Sequence, residues 1–198
     1  SDKEFKMIKA HPVHGKNLLM ATPGIYAGAI DAAYSHHEKV DGTGYPRKLK
    51  GENISMFSKI IAIVDAYDAM TGDRCYARAM TSSDALKNIY KDKGTHFDEA
   101  LALEFIKCIG IYPPGTLVEL VNGCIGIVLE KNLAFKHLPK IIVVYDREYP
   151  NGAERVINLV DTNSGKLDLG HLVKRGLNDG TQGISISAYK KKGLVFKT

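Results

Sequence analysis

Tryptophan is absent from the 198-residue sequence, cysteine occurs only three times, and no apolar run is long. The cysteines, Cys75, Cys108 and Cys124, are widely spaced and odd in number, which fits neither a disulfide framework nor a zinc knuckle. No apolar run approaches the roughly 18–20 residues of a membrane span, and no signal-like stretch follows the first charged residues. These absences predict a cytoplasmic protein in a reducing setting, with no membrane segment and no leader.

The charge of the chain is modest and uneven. Hydrophobic residues make up 44% of the sequence, charged residues 25%, and the formal net charge is +5. Residues 1–112 carry 15 basic and 14 acidic side chains, and residues 113–198 carry 12 and 8, so the two excesses are +1 and +4. Because a surface that binds nucleic acid is normally far more basic, we do not expect nucleic-acid binding.

Apolar periodicity divides the chain near residue 112. Before this point apolar positions recur every three to four residues, which predicts helices. After it, β-rich runs follow a break of two prolines and a glycine. The sequence therefore predicts an α+β chain, with an all-α helical bundle over residues 1–112 and a small β-rich unit over residues 113–198. The predicted helices are 2–20, 24–38, 55–71, 82–93 and 97–109, and the predicted strands are 116–121, 124–130, 140–146 and 155–161.

Two turns are predicted between these strands. The Asn122-Gly123 dipeptide indicates a type I′ hairpin, in which both central residues have positive φ. The Tyr-Pro-Asn-Gly stretch at 149–152 indicates a second turn, between the third and fourth strands. A polar, glycine-rich stretch at 39–52 is too long for a simple turn, which makes it a candidate functional loop.

Four of the seven histidines lie in two tight groups. His11 and His14 are three residues apart and share one helix face, a pattern that is usually a surface or core feature. His36 and His37 are neighbours, and neighbours on a regular helix point about 100° apart, so both cannot reach one ion. At a helix end they would suit two adjacent ions, or simply a polar terminus that favours the helix dipole.

Two carboxylates stand on one face of the predicted third helix. The helix is apolar nearly all round, which predicts burial, yet it contains Asp65 and Asp68. A buried carboxylate requires a cation, hydrogen-bond donors or a metal. Arg74 and Arg78 are candidate ion-pair partners, whereas imidazoles together with carboxylates suit Fe, Mn or Zn. We favour the metal.

The run H-H-E-K-V-D-G-T-G-Y-P at 36–46 closely resembles the signature of the HD-GYP family. Three further motifs occur in the same order as in that family: H-P-x-x-G at 11–15, D-x-x-D-A at 65–69 and D-R-x-Y at 73–76. The resemblance covers roughly residues 1–112. It implies an HD-type helical bundle and a metal-dependent phosphohydrolase that opens cyclic di-GMP to linear pGpG, GMP or both.

The resemblance also implies a site. Two or three divalent metals, most commonly Fe or Mn, would be held by His11, His36, His37 and Asp65. Substrate-binding positions would be Gly44, Tyr45, Pro46, Arg74 and Arg78, with Glu38, Asp41 and Asp68 in supporting roles. Partners would be cyclic di-GMP and signalling modules of the GGDEF or receiver type. The β-rich unit is similar to extensions found in some family members.

One departure from the family is large. The His-Asp dyad that normally precedes H-P-x-x-G is missing, and no His-Asp dipeptide occurs in the 198 residues. The sequence thus predicts a bundle truncated upstream, inactive by itself, with exposed apolar helix faces that promote self-association. Two alternatives remain: a catalytically incomplete module that senses cyclic di-GMP or a partner protein, and a β module over residues 113–198 that binds nucleic acid or protein.

Overall fold

The computed structural model describes residue 4 and residues 7–72, 79–149 and 154–197. Five helices come first, followed by a five-stranded antiparallel sheet, which confirms the predicted α+β class. The helices are α1 His11–Met20, α2 Ala27–Ser35, α3 Met56–Thr71, α4 Ser82–Lys91 and α5 Glu99–Ile109. The strands are β1 Leu117–Leu120, β2 Ile125–Glu130, β3 Lys140–Tyr145, β4 Arg155–Asn158 and β5 Val173–Leu177, and a short helix, α6 Ile186–Lys191, follows.

The chain forms two compact units. Residues 1–70 and 87–107 form one, called here the helical unit, and residues 71–86 and 108–198 form the other, called here the β unit. The functional boundary that we place at residue 112 stays a prediction. Among the described residues, no helix combines the length and hydrophobicity needed to cross a membrane.

The first predicted helix is wrong in its extent. Met7 and Ile8 are helical, but the chain turns at residues 9 and 10 before α1 begins at His11. Pro12 explains the break, because proline lacks the backbone N–H of an interior helical residue and its ring clashes with the carbonyl four residues earlier. The second predicted helix, which contains no proline, also ends early, at Ser35 rather than at residue 38.

The apolar composition of helix α3 predicted that the helix would be buried on all sides, but it is buried on only part of its surface. Ala62 and Ile63 are buried, whereas Ile60, Ile61 and Val64 are 41–43% exposed. An all-apolar helix indicates that several faces require partners, but it does not identify which faces the described chain covers. Apolar side chains on α3 therefore remain accessible.

In the β unit the strand order is β4-β3-β2-β1-β5. One face packs Val118, Leu120 and Val128 into a buried cluster, and the other packs Leu117, Ile125 and Ile127. The fifth strand was missed because its sequence, V-K-R-G-L, shows no alternation of apolar and polar residues and contains a glycine. Its pairing with β1 is what reveals it as a strand.

The first hairpin has a different turn from the one predicted. Gly123 has φ of 85°, but neither Val121 nor Asn122 has positive φ, so the turn is not type I′. The Gly123 N–H donates to the Leu120 carbonyl at 3.0 Å, which closes a turn followed by a left-handed glycine. This is the three-residue hairpin with a G1 bulge. Of the second predicted turn, at 149–152, residues 150–152 lie outside the described residues.

Candidate metal centre

Three imidazoles converge in the helical unit. His11 begins α1, while His36 and His37 directly follow the last residue of α2. One ring nitrogen from each lies within 4.8 Å of the other two, and the Nε2 atoms of His11 and His36 are 3.0 Å apart. His36 is the C-cap of α2 and still has helical φ and ψ, and the side chains of His36 and His37 nevertheless come close, with ring centroids 4.2 Å apart. The sequence had placed this pair at a helix end only as one of two open alternatives.

Backbone carbonyls orient two of the rings. The Nδ1 atom of His11 lies 2.7 Å from the Ile8 carbonyl, and that of His36 lies 2.9 Å from the Ala33 carbonyl. A carbonyl only accepts, so each Nδ1 is the protonated donor, and Nε2 is the ring nitrogen that can present a lone pair. Two such lone pairs at 3.0 Å repel unless a proton or a metal cation lies between them. Nδ1–H donation to a carbonyl is also the usual orientation of a metal-binding histidine.

His37 is suited to donate a nitrogen lone pair. Burial, followed by the neighbouring charge of His36, lowers its pKa to about 4, although Asp65 opposes the shift. The ring is therefore neutral near pH 7. It stacks on the Tyr45 ring, with centroids 4.7 Å apart and an interplanar angle of 25°. Three imidazoles facing one point form a donor set suited to a divalent transition metal.

The carboxylates of α3 occupy different positions from those predicted. Asp65 and Asp68 are both exposed rather than buried. Asp65 does not belong to the close group of three histidines, but its charge acts on His37 and raises the pKa of Tyr45, together with the larger effect of burial. Arg74 and Arg78 lie outside the described residues, so their predicted roles stay predictions.

The Gly-Tyr-Pro loop folds back onto the histidine segment. The Tyr45 N–H donates to the His37 carbonyl at 3.1 Å. A Cβ on buried Gly44 would lie 2.3 Å from the Lys39 nitrogen and 2.6 Å from the His37 carbonyl oxygen. Only glycine permits this approach without moving backbone. Pro46, half-buried, continues the same loop.

Glu38 holds the far side of this loop. The carboxylate is 2% exposed and accepts the N–H groups of Arg47 at 2.6 Å and Leu49 at 2.8 Å, one on each oxygen. A buried carboxylate that accepts two backbone bonds stabilises the position of both segments. The sequence placed Glu38 in a supporting role, and these bonds define what it supports.

Sequence reasoning missed Asp31 and Arg47. The Arg47 guanidinium donates to Asp31 Oδ1 at 2.7 Å and also to Ser35, which ties the loop to α2. Burial would raise the pKa of Asp31, but hydrogen bonds from Ser55, Arg47 and Ser58 outweigh it and hold the pKa below its usual value. The sequence did contain one indication of a role for Arg47, because this residue directly follows the Gly-Tyr-Pro motif.

Hydrogen bonds at Asp41 and at the His96 carbonyl also hold the segment that follows the histidines. The Asp41 carboxylate accepts from the Thr43 backbone N–H at 2.8 Å and from its hydroxyl at 2.7 Å, and both bonds lower its pKa. The Val40 N–H donates to the His96 carbonyl at 3.2 Å. Burial, followed by Lys39, lowers the pKa of His96. His96 was missed because it lies more than 50 residues from the motif.

The helical unit thus places three converging histidines beside a glycine-tight loop, and this arrangement is a candidate metal site. The family model described as "HD domain" matches residues 1–101, about half of the chain. The chain belongs to this HD domain family, which confirms the resemblance found in the sequence.

Named relatives are consistent with this membership. A cyclic di-GMP phosphodiesterase of Pseudomonas aeruginosa is 37% identical over 145 residues, which cover 73% of this chain and 35% of the relative. A cyclic di-GMP phosphodiesterase of Vibrio cholerae is 38% identical over 112 residues, which cover 54% of this chain and 23% of the relative. The chain thus spans about a third or less of these relatives.

One solved structure is also similar, a cyclic GMP-AMP specific phosphodiesterase from V. cholerae. It is 25% identical, with a TM-score of 0.35, over 40% of this chain and 18% of that one.

Proposed function

We propose that this chain is part of a metal-dependent phosphodiesterase that hydrolyses cyclic di-GMP in bacterial second-messenger signalling. The observation that carries the proposal is the 3.0 Å approach of two Nε2 atoms whose Nδ1 atoms already donate to carbonyls. This arrangement requires a cation or a shared proton, and His37 completes a three-nitrogen set. Asp65, on the neighbouring helix, is the proposed carboxylate ligand.

The chain's own residues have distinct proposed tasks. His11, His36, His37 and Asp65 hold the metals, two or three in the complete protein and Fe or Mn by family resemblance. Such ions supply Lewis-acid activation of water for attack on a phosphodiester. Glu38 and Gly44 keep the loop against the histidines, so that the ring of Tyr45 stands beside the reaction site.

Substrate recognition is proposed for the rim of this site. Tyr45 offers an aromatic face, and the Lys9 ammonium lies 5.2 Å from the centroid of that ring. Together they suit a phosphate attached to a planar base. Arg74 and Arg78 are proposed to contact phosphate or guanine, on the basis of the motif alone. Two V. cholerae relatives are named 3′3′-cGAMP-specific phosphodiesterases, so that mixed dinucleotide is the competing substrate to test.

We propose that the ligand set within these 198 residues is incomplete. No His-Asp dipeptide occurs in the sequence, although the family's centre normally uses that dyad. Hydrolysis should then require ligands from other parts of the parent protein. The sensor alternative assigns the same pocket to binding cyclic di-GMP or a partner without hydrolysis. Signalling partners of the GGDEF or receiver type are a prediction from family resemblance.

The test compares metal content and hydrolysis in the parent protein and in this chain. The parent should contain stoichiometric Fe or Mn by elemental analysis and convert cyclic di-GMP to pGpG or GMP, whereas the chain alone should not. His36→Ala should lower metal content at least about tenfold, since losing even an outer-shell partner of a ligand costs about 10–100-fold in metal affinity. His14→Ala, an exposed histidine on α1, is the matched control and should change neither quantity.

The result that decides between enzyme and sensor is turnover by the metal-loaded parent. If the parent contains stoichiometric metal and binds cyclic di-GMP but leaves it intact, the sensor reading replaces the enzyme. Equal metal loss in His36→Ala and His14→Ala would contradict the proposed ligands.

A further inference from the structure

A cleft lies on one face of the sheet in the β unit and contains no residue of the histidine or Gly-Tyr-Pro motifs. Its floor is a row of directly paired residues, Arg175 on β5, Glu119 on β1, Ile125 on β2 and Tyr145 on β3. Residues that are directly opposite one another on neighbouring strands share a face, so the four side chains stand together. The cleft has a volume of about 340 Å³.

Positive charge dominates the cleft. Glu119 accepts from Lys174 Nζ at 2.9 Å and from Arg175 Nε at 2.6 Å, so its one negative charge already has two cationic partners. Arg175 donates through Nε, and its terminal amino groups make no hydrogen bond within the described residues. Arg147, two residues beyond Tyr145, lines the cleft and has no acidic partner in the described chain. Two guanidinium groups therefore have donors to offer a ligand.

The remaining lining is apolar or neutral. Ile125 is buried and Leu177 half-buried, and Tyr145 adds an aromatic ring. Thr181 and Gln182 close one side, where Gln182 adopts a left-handed backbone conformation, with φ of 53°. Such a conformation is uncommon for a residue other than glycine and is often found where a loop is shaped for binding. The polar part of the lining is larger than the apolar part, and the volume lies at the lower end of the roughly 300–1,000 Å³ typical of small-molecule sites.

We propose that this cleft binds a nucleoside monophosphate, through Arg147 and Arg175 on the phosphate and Tyr145 with the apolar floor on the base. Phosphate is favoured over a carboxylate because a terminal phosphate presents three oxygens, enough for two guanidinium groups, whereas a carboxylate presents two. The cleft lies in the β unit and shares no residue with the histidine site, so this inference stands apart from the proposed hydrolysis.

The experiment is a titration of the ¹⁵N-labelled full 198-residue chain in EDTA, followed by amide chemical shifts. GMP, guanosine and inorganic phosphate are the three probes. We expect GMP to shift the amides of Gly123 and Thr181 in the cleft while those of Gly42 and Gly44 stay in place. Guanosine and phosphate should each bind at least about tenfold more weakly than GMP, roughly 1.4 kcal/mol, because each lacks half of the contacts.

Arg147→Ala should weaken GMP binding at least about tenfold, whereas Lys166→Ala should leave it within about twofold. Both side chains are exposed, so neither change threatens the fold, and both remove one positive charge. If the two variants weaken GMP binding equally, binding depends only on the net positive charge of the chain, and the proposal is overturned. An absence of cleft shifts at millimolar GMP, or phosphate binding as tightly as GMP, would also overturn it. Because the titration uses metal-free protein without turnover, failure of the proposed hydrolysis leaves its result unaffected.

Discussion

The helical unit and the β unit cover their apolar surface to different extents. In the β unit both faces of the sheet are packed, and Leu117, Val118 and Ile127 are fully buried. In the helical unit Leu18, Met20 and Phe57 are more than half exposed. What orders the helical unit around its histidines is a set of polar contacts from buried or half-buried carboxylates. Packing thus buries both faces of the sheet in the β unit, while in the helical unit hydrogen bonds position the loop beside the histidines.

The largest expected effect is a cavity in the sheet. Ile127→Ala should lower the free energy of unfolding by about 2–5 kcal/mol, because a fully buried side chain is lost. Ile61→Ala, at a position 43% exposed on α3, should cost about 1 kcal/mol or less. Urea denaturation monitored by circular dichroism measures both. Equal losses of unfolding free energy in the two variants would show that this face of α3 is covered in solution. The two units would then not differ in how well they cover their apolar surface.

The next effect concerns the loop of the helical unit. Gly44→Ala places a methyl group 2.3 Å from the Lys39 nitrogen and 2.5 Å from the Glu38 Cα, so backbone must move. We expect a loss of about 1–3 kcal/mol in stability, together with weaker metal binding. Gly15→Ala, where nothing lies within 4 Å, is the matched control and should be neutral or slightly stabilising. If Gly44→Ala binds metal as tightly as the wild type, the loop does not position the metal ligands.

The exposed apolar side chains of the helical unit should make the chain self-associate. Met56, Phe57, Ile60, Ile61 and Val64 on α3 are all at least 41% exposed. Ile61→Glu should weaken the association about tenfold, roughly 1.4 kcal/mol, by placing a charge in the contact. Leu133→Glu, at an exposed leucine of the β unit, should leave it unchanged. Sedimentation velocity gives the answer, and a strictly monomeric chain at high concentration would contradict the prediction.

The smallest effect is a pH dependence from Asp31. Its folded pKa lies below the ordinary value of 3.8, so its stabilisation is present above that value and disappears as the pH falls through the folded pKa. Asp31→Asn should therefore be less stable than the wild type at pH 7 and should lose less stability on acidification. The carboxyl is a third exposed, so the difference should be small. Asp68→Asn serves as the control, and thermal unfolding between pH 7 and pH 3 provides the measurement.

Much of the fold could be predicted because it follows from short-range patterns. All five predicted helices and all four predicted strands lie near where periodicity indicated, with errors at ends and turns, whereas β5 and the short helix α6 were not predicted. Pro12 interrupts a helix that its apolar positions would have continued, and Gly123 forms a bulge rather than a type I′ turn. The fifth strand was invisible because only its pairing with β1 makes it a strand.

The candidate site divides in the same way. The motif by itself named His11, His36 and His37, whose chemistry depends on residue type and spacing. Arg47 and His96 were missed, because their roles arise from contacts with residues 16 and 56 positions away in sequence.

The sequence alone determined the class of the chain, its helix-then-sheet order, its family and its candidate histidines, since these depend on composition, periodicity and local motifs. Only the tertiary structure decided that His36 and His37 lie at one point beside His11. It also decided that Asp65 and Asp68 are exposed, and that the β unit has a cationic cleft. Burial and convergence are properties of several segments together, so no single stretch of sequence contains them.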